Sequence, residues 1–267
     1  MRLRQTGTCA VILMLFVLFA CATSPEKART KLNEMNVAYD EDSFVQKASE
    51  GDVQAVKNFL IAGMDPNVID QKGNTALILA AKEGHEEILG LLLDKGADME
   101  ARDAKFGATP LIWAAIRGQT DVVKLLLEKG ADINAVENKN GMSSLVLAAV
   151  KGNTETIEVL LENGADVNSG DRDGRTPLMW AAHHGQTDAV TFLLTKGADL
   201  EAKDNKAGVN ALISAATTNS VETMKVLLDH GADIDARAND GKTALILAAF
   251  LGHTNAVRLL IEKGADV

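Results

Sequence analysis

Three series of glycines share one period in this chain, and that phase limits its architecture more than any other feature. Gly-Ala-Asp recurs at Gly96, Gly130, Gly164, Gly197, Gly231 and Gly264, in steps of 34, 34, 33, 34 and 33 residues. A second series stands at 73, 107, 141, 174, 208 and 241, and a third at Gly84, Gly118, Gly152, Gly185, Asn219 and Gly252. One irregular core does not repeat its turn residues in this way; a single unit built again and again does. Composition agrees: only 4% of residues are aromatic, so close backbone approach at Ala and Gly must replace bulky packing.

The unit can be read residue by residue. Thr75, Thr109, Ser143, Thr176, Asn210 and Thr243 each offer a side-chain oxygen to the free N–H groups of a starting helix. Pro110 and Pro177 follow at the first helical position, where a missing N–H costs nothing. A short helix then passes through a paired alanine such as Ala114-Ala115 and ends at the third glycine. Asn219 replaces that glycine once, and asparagine tolerates the same left-handed conformation. A second helix carries apolar residues three and four apart, as in Ile88, Leu89, Leu92 and Leu93 or Val122, Val123, Leu126 and Leu127. Helix, turn, helix and hairpin-like loop make a unit that cannot bury its own stripe, so neighbours must stack.

The segment Gly107-Ala108-Thr109-Pro110-Leu111-Ile112-Trp113-Ala114-Ala115 through Gly130-Ala131-Asp132 resembles the ankyrin repeat signature, G-x-T-P-L-H-x-A-A closing on G-A-D. The resemblance implies an all-α solenoid of about seven helix-turn-helix units with hairpin-like loops over residues 40–267. They divide as 40–72, which is degenerate, 73–106, 107–140, 141–173, 174–207, 208–240 and 241–267. The signature histidine is replaced throughout, by Ile78, Ile112, Val146, Met179, Ile213 and Ile246, so packing must fix the first helix in its place. No separate polar cap follows Gly264-Ala265-Asp266-Val267, which leaves the last helix pair open on one side.

Residues 1–20 read as an address. Arg2 and Arg4 precede an apolar run from Cys9 to Ala22, fourteen residues long and short for a membrane span. Leu18-Phe19-Ala20-Cys21 resembles the lipobox of bacterial lipoproteins, which implies cleavage before Cys21 and lipidation of its thiol; Phe19 is larger than the pattern prefers. Ala20-Cys21-Ala22 is also a small-x-small site for ordinary cleavage, and an uncleaved anchor is the third possibility. Residues 21–39 are expected to form a polar tether. After Cys21 the chain has no cysteine, which suits an oxidising compartment. The expected place is the periplasmic face of the cell envelope. Ala22 is not the aspartate that favours inner-membrane retention, so the lipoprotein resemblance implies the outer membrane; soluble periplasmic or secreted protein is the alternative.

Catalytic patterns are missing from the sequence: it contains no H-E-x-x-H, no G-x-S-x-G and no cysteine nucleophile in the body. The string Ala236 to Thr243 satisfies a relaxed phosphate-loop pattern, yet Gly241 and Thr243 are explained by repeat register and Asp240 would sit against the phosphates. His183-His184 is the one histidine pair, and neighbours on a helix diverge by about 100°, a poor arrangement for one metal. Trp113 and Trp180 share one slot, for which packing and a binding hot spot are both open readings. No enzyme activity, cofactor, metal or small-molecule substrate is expected, and the net charge of −10 argues against a nucleic-acid partner.

What the resemblance implies is a protein partner, held by loop tips and the exposed side of the first helices. Those slots hold Lys72, Lys82, Phe106, Ile116, Arg117, Lys139, Val150, Lys151, Arg172, Arg175, His183, His184, Lys206, Lys242, Phe250 and Leu251. Ile116, Val150, Phe250 and Leu251 are apolar in slots expected to meet water. Charge is uneven: from Asp70 to Lys242 the loops and first helices carry thirteen basic and eleven acidic residues. The second helices and Gly-Ala-Asp turns, to the end of the chain, carry seven basic and eighteen acidic ones. A scaffold or chaperone-like binder in the envelope is the favoured function, and a secreted effector acting on host proteins the alternative.

Overall fold

The computed structural model describes residues 24–267, and within them every regular element is a helix. The expected leader, Cys21 and both expected cleavage sites lie outside the described residues. The helices form two compact units: residues up to Ala80 together with His85–Asp98, and Ala81–Gly84 together with Met99–Val267.

In the first unit α1 spans Pro25–Glu34, α2 Glu41–Glu50, α3 Val53–Ile61 and α5 Glu86–Asp94; α4, Ala76–Glu83, begins there. The expectation of a polar tether over 21–39 is corrected in its described part. Ser24 caps α1 by accepting the N–H of Lys27 at 3.4 Å, and Pro25 occupies the first helical position. One turn apart, Ala28 and Leu32 are buried, and α1 packs on α3. Arg29 lies 4.4 Å over the ring of Tyr39, which stacks on Phe59 at 5.6 Å and donates its hydroxyl to the Ala62 carbonyl at 3.1 Å. Phe44 of α2 and Phe59 of α3 are fully buried, with ring centroids 5.3 Å apart.

The second unit holds α6 Pro110–Arg117, α7 Thr120–Glu128, α8 Ser144–Lys151, α9 Thr154–Glu162, α10 Pro177–His183 and α11 Thr187–Thr195. Then come α12 Ala211–Thr217, α13 Val221–Asp229, α14 Ala244–Phe250 and α15 Thr254–Glu262. First helices pack on first helices, α6 on α8 and onward to α14, while second helices pack on second helices, α7 on α9 and onward to α15. The expected caps form: the oxygens of Thr109, Ser143, Thr176, Asn210 and Thr243 accept the N–H three residues on, at 3.4, 3.4, 3.3, 3.0 and 3.3 Å. Thr75 does the same in α4, at 3.2 Å. At φ +68° Gly118 ends α6 in the left-handed region, and Asn219 occupies its slot at φ +58°.

The residues in place of the signature histidine are core. Ile112, Val146, Met179 and Ile213 are at most 2% exposed in this unit, each contributing roughly 1.5–3 kcal/mol of apolar burial. Only Ile246, on α14, stands out at 45%. Polar atoms join the layers too. Thr120 and Thr156 pair their hydroxyls at 3.1 Å, and Thr187 and Thr223 at 2.9 Å. Four of the turns in this unit are also stitched to the one before: Glu100 accepts the N–H of Asp132 at 2.8 Å, Asn168 that of Asp199 at 2.8 Å, Glu201 that of Asp233 at 2.9 Å and Asp235 that of Asp266 at 2.9 Å.

Candidate functional site

The loops before α4, α6, α8, α10 and α12 each close around one carboxylate, a role that reading acids as charge does not reveal. Asp103, 4% exposed, accepts the N–H of Lys105 and Phe106 on one oxygen, at 2.8 and 2.7 Å. Its other oxygen accepts the N–H of Ala108 at 3.0 Å and the indole N–H of Trp113 at 2.9 Å. Glu137, 7% exposed, collects the N–H groups of Lys139, Asn140 and Met142. Asp171 and Asp204 repeat the device, and Asp171 accepts the indole N–H of Trp180 at 3.0 Å. In the first unit Asp70 does so for Lys72 and Asn74. The signal was in the sequence as acids at 70, 103, 137, 171 and 204, in the same period as the glycines; Ala238 breaks it in the last loop.

Between the loops at Asp103 and Glu137 and the helices α6 and α8 lies a groove of about 360 Å³. It brings together five of the predicted residues, Phe106, Ile116, Lys139, Val150 and Lys151, with Trp113, Met142 and Leu147. The edge of Phe106 meets Trp113 at 5.8 Å between centroids. Ile116 and Val150 were expected to meet water, but both are half-buried; Ile116, Trp113 and Leu147 rest on the cluster of Ala108, Ile112 and Ala135. The short side chains of Ala108 and Ala135 in that cluster leave room for Ile116 to pack against it.

Cations rim the groove. The Lys82 ammonium lies 4.9 Å from the centre of the Trp113 ring, and Lys105 lies 4.9 Å from that of Phe106. Arg117 reaches Glu83 at 3.9 Å, an exposed pair of small energetic weight. Glu137 lines the groove and Asp103 backs Phe106 and Trp113, and both are occupied by N–H donors. The surface presented is therefore apolar, with ammonium groups around it and one carboxylate, Glu83, at 4.0 Å from Lys82.

The remaining predicted residues go elsewhere. Arg172 clamps the neighbouring loop, donating to the Lys139 carbonyl at 2.9 Å. Arg175 pairs with buried Asp204 at 3.3 Å and lies 5.2 Å over Trp180. His183 and His184 gather on the same ring, edge-on at 6.0 Å and stacked at 5.9 Å, with their own planes at 89° to each other. Burial pushes the His183 imidazole below its ordinary range, aided by His184 and Arg175; burial and then Lys151 do the same to His184. Both rings pack on Trp180. Lys206 faces Asp173 at 4.0 Å, and Lys242 is tied to Asp240 at 2.6 Å. Phe250 and Leu251, 82% and 46% exposed, stand at the end of α14. Lys72 is exposed and belongs to the first unit.

The sequence matches ankyrin repeats in three successive stretches, residues 44–137, 134–204 and 201–267. Human ankyrin repeat domain-containing protein 29 is 41% identical over 59 residues, covering 22% of this chain and 20% of that protein. An ankyrin repeat-containing protein of Treponema pallidum is 33% identical over 73 residues, 27% of this chain and 24% of that protein. The chain thus spans about a quarter or less of the length of these relatives. The human ASB11 ankyrin repeat domain, a crystal structure, superposes with a TM-score of 0.75 at 28% identity, covering 84% of this chain and 98% of that one. Ankyrin repeats typically form non-catalytic scaffolds for protein–protein interaction. With helix pairs, caps, turns and family match in agreement, the chain belongs to the ankyrin repeat family.

Proposed function

We propose that this protein is a non-enzymatic binding scaffold of a bacterial cell envelope, anchored by lipid on Cys21, whose groove takes a partner segment with apolar anchors and acidic flanks. One observation carries the partner's chemistry. The groove of Phe106, Trp113, Ile116 and Val150 is ringed by Lys82, Lys105, Lys139 and Lys151, while its own carboxylates are saturated from within. Apolar area supplies affinity and the ammonium groups orient the flanks. Support for the envelope comes from the leader, Leu18-Phe19-Ala20-Cys21, and from a body without cysteine. Phe19 and the competing Ala20-Cys21-Ala22 site favour soluble export as the second reading.

Affinity capture from envelope extracts tests both halves. Ile116→Asp with Val150→Asp, or Lys139→Glu with Lys151→Glu, is expected to reduce capture of wild-type partners by about tenfold or more. Reversal of Glu155 and Glu158 on α9 leaves capture unchanged. Equal losses from both sets would refute the groove. Arg175 is excluded from the charge-reversed set because it holds Asp204. The N-terminal mass of the wild type and of Cys21→Ser decides the anchor: a diacylated Cys21 supports it, and an intact Met1 refutes export.

A further inference from the structure

A second concavity lies in the first unit, enclosed by α1, α3 and α5, with a volume of about 270 Å³. Its walls are aliphatic, built from Ala28, Leu60, Ile61 and Leu91. Asn58 lines it at 2% exposure. The Asn58 oxygen is met by Gln54 at 3.4 Å, but its amide N–H donates only to the Met35 sulfur, at 3.8 Å, and a thioether is a weak acceptor. A buried amide donor so poorly matched favours an incoming oxygen. Four ammonium groups, of Lys27, Lys31, Lys57 and Lys95, stand around the same space, and no carboxylate lines it. Lys57 pairs with Glu87 at 2.9 Å, a partly exposed pair of small energetic weight.

An aliphatic interior, a buried N–H donor and a cationic surround are together complementary to one class of ligand. The volume falls just under the range of about 300–1,000 Å³ usual for drug-sized molecules, which leaves space for one chain and not two. We propose that this cavity binds a single-chain anionic amphiphile, an unbranched aliphatic chain ending in a carboxylate. The chain lies against Leu60, Ile61 and Leu91, and Lys31 and Lys95 hold the head. The inference is independent of the groove in the second unit, and it makes no use of the anchor on Cys21.

The test is calorimetric titration of the full chain, carrying Cys21→Ser to keep it unacylated, with sodium decanoate below its micelle concentration. Decanoate is expected to bind saturably at one site, and decanol and decyltrimethylammonium at least about tenfold more weakly, the loss of one charge-assisted contact. Lys31→Gln with Lys95→Gln lowers decanoate affinity by about tenfold or more, whereas Lys31→Arg with Lys95→Arg retains it within about threefold. Thermal unfolding measured on each variant separates loss of the site from loss of the fold, and the arginine pair keeps the test open if the glutamine pair misfolds. Equal binding of the three amphiphiles, or glutamine and arginine pairs that behave alike, overturns the proposal. So does binding to phosphatidylglycerol vesicles without any binding of decanoate.

Discussion

Replacing Asp103 by asparagine should loosen the groove at its aromatic edge, by an amount the geometry sets. The carboxylate accepts four N–H groups, two on each oxygen. Asparagine keeps one acceptor oxygen and, whichever way the amide is turned, points its NH₂ at two donors. A hydrogen bond to a charged acceptor contributes about 1.5–3 kcal/mol, so losing two gives an upper range of about 3–6 kcal/mol. Ala108 is 1% exposed and its N–H has no water to turn to, but Trp113 is half-exposed and recovers part of its loss. A destabilisation of about 3 kcal/mol follows. Repeat arrays need not unfold as one unit, so the probe must be local. Urea unfolding followed by Trp113 fluorescence in a Trp180→Phe background supplies it, with the slope checked against the parent. A change under about 0.5 kcal/mol, with Trp113 emission unmoved, would refute the account of the loop as a carboxylate-centred turn.

Three further outcomes follow from the same geometry. The Ser144 hydroxyl is buried without a partner at the slot where Pro110 and Pro177 stand, so Ser144→Ala should raise urea stability by about 1 kcal/mol. Gly164→Ala, at φ +94° with open space around it, should cost about 1–2 kcal/mol from backbone strain alone. Gly152→Ala, whose new carbon would lie 2.5 Å from the Gln186 amide oxygen, should cost more, and unfolding midpoints compare the two. Burial pushes the Asp204 carboxyl up, but N–H groups of its loop and the Arg175 guanidinium outweigh this and hold it below the usual carboxylate range. Its contribution is present above the unfolded-state value near 4 and is lost as pH falls through the lower folded value; Asp204→Asn should flatten that part of the acid-unfolding curve.

Most of the fold was legible because its punctuation is local. Thr109, Pro110 and Gly118 each act within one turn of their own position, and Asn219 could be assigned its left-handed turn from its phase with the glycines. The packing of α1 on the first unit was not legible because it buries two side chains, Ala28 and Leu32, in ten residues, too sparse for a periodic stripe. The groove was half legible. Phe106, Ile116 and Val150 were identified from their slots, but Met142 and Leu147 were not, because whether a residue lines a concavity depends on the height of its neighbours. The loop carboxylates were hidden for a different reason. An acid that accepts three or four N–H groups has the same letter as one in water, and only its phase with the glycines sets it apart in the sequence.

The stitch between successive turns has a consequence for how such a chain can change its length. Glu100, Asn168 and Glu201 do the same work with different side chains, because the group they recognise is a backbone N–H, common to every residue but proline. A repeat excised or duplicated whole would find the same donor waiting at the new junction. Extension is therefore an editing operation that leaves the joints intact, and the number of units is a quantity heredity can vary without redesigning any one of them.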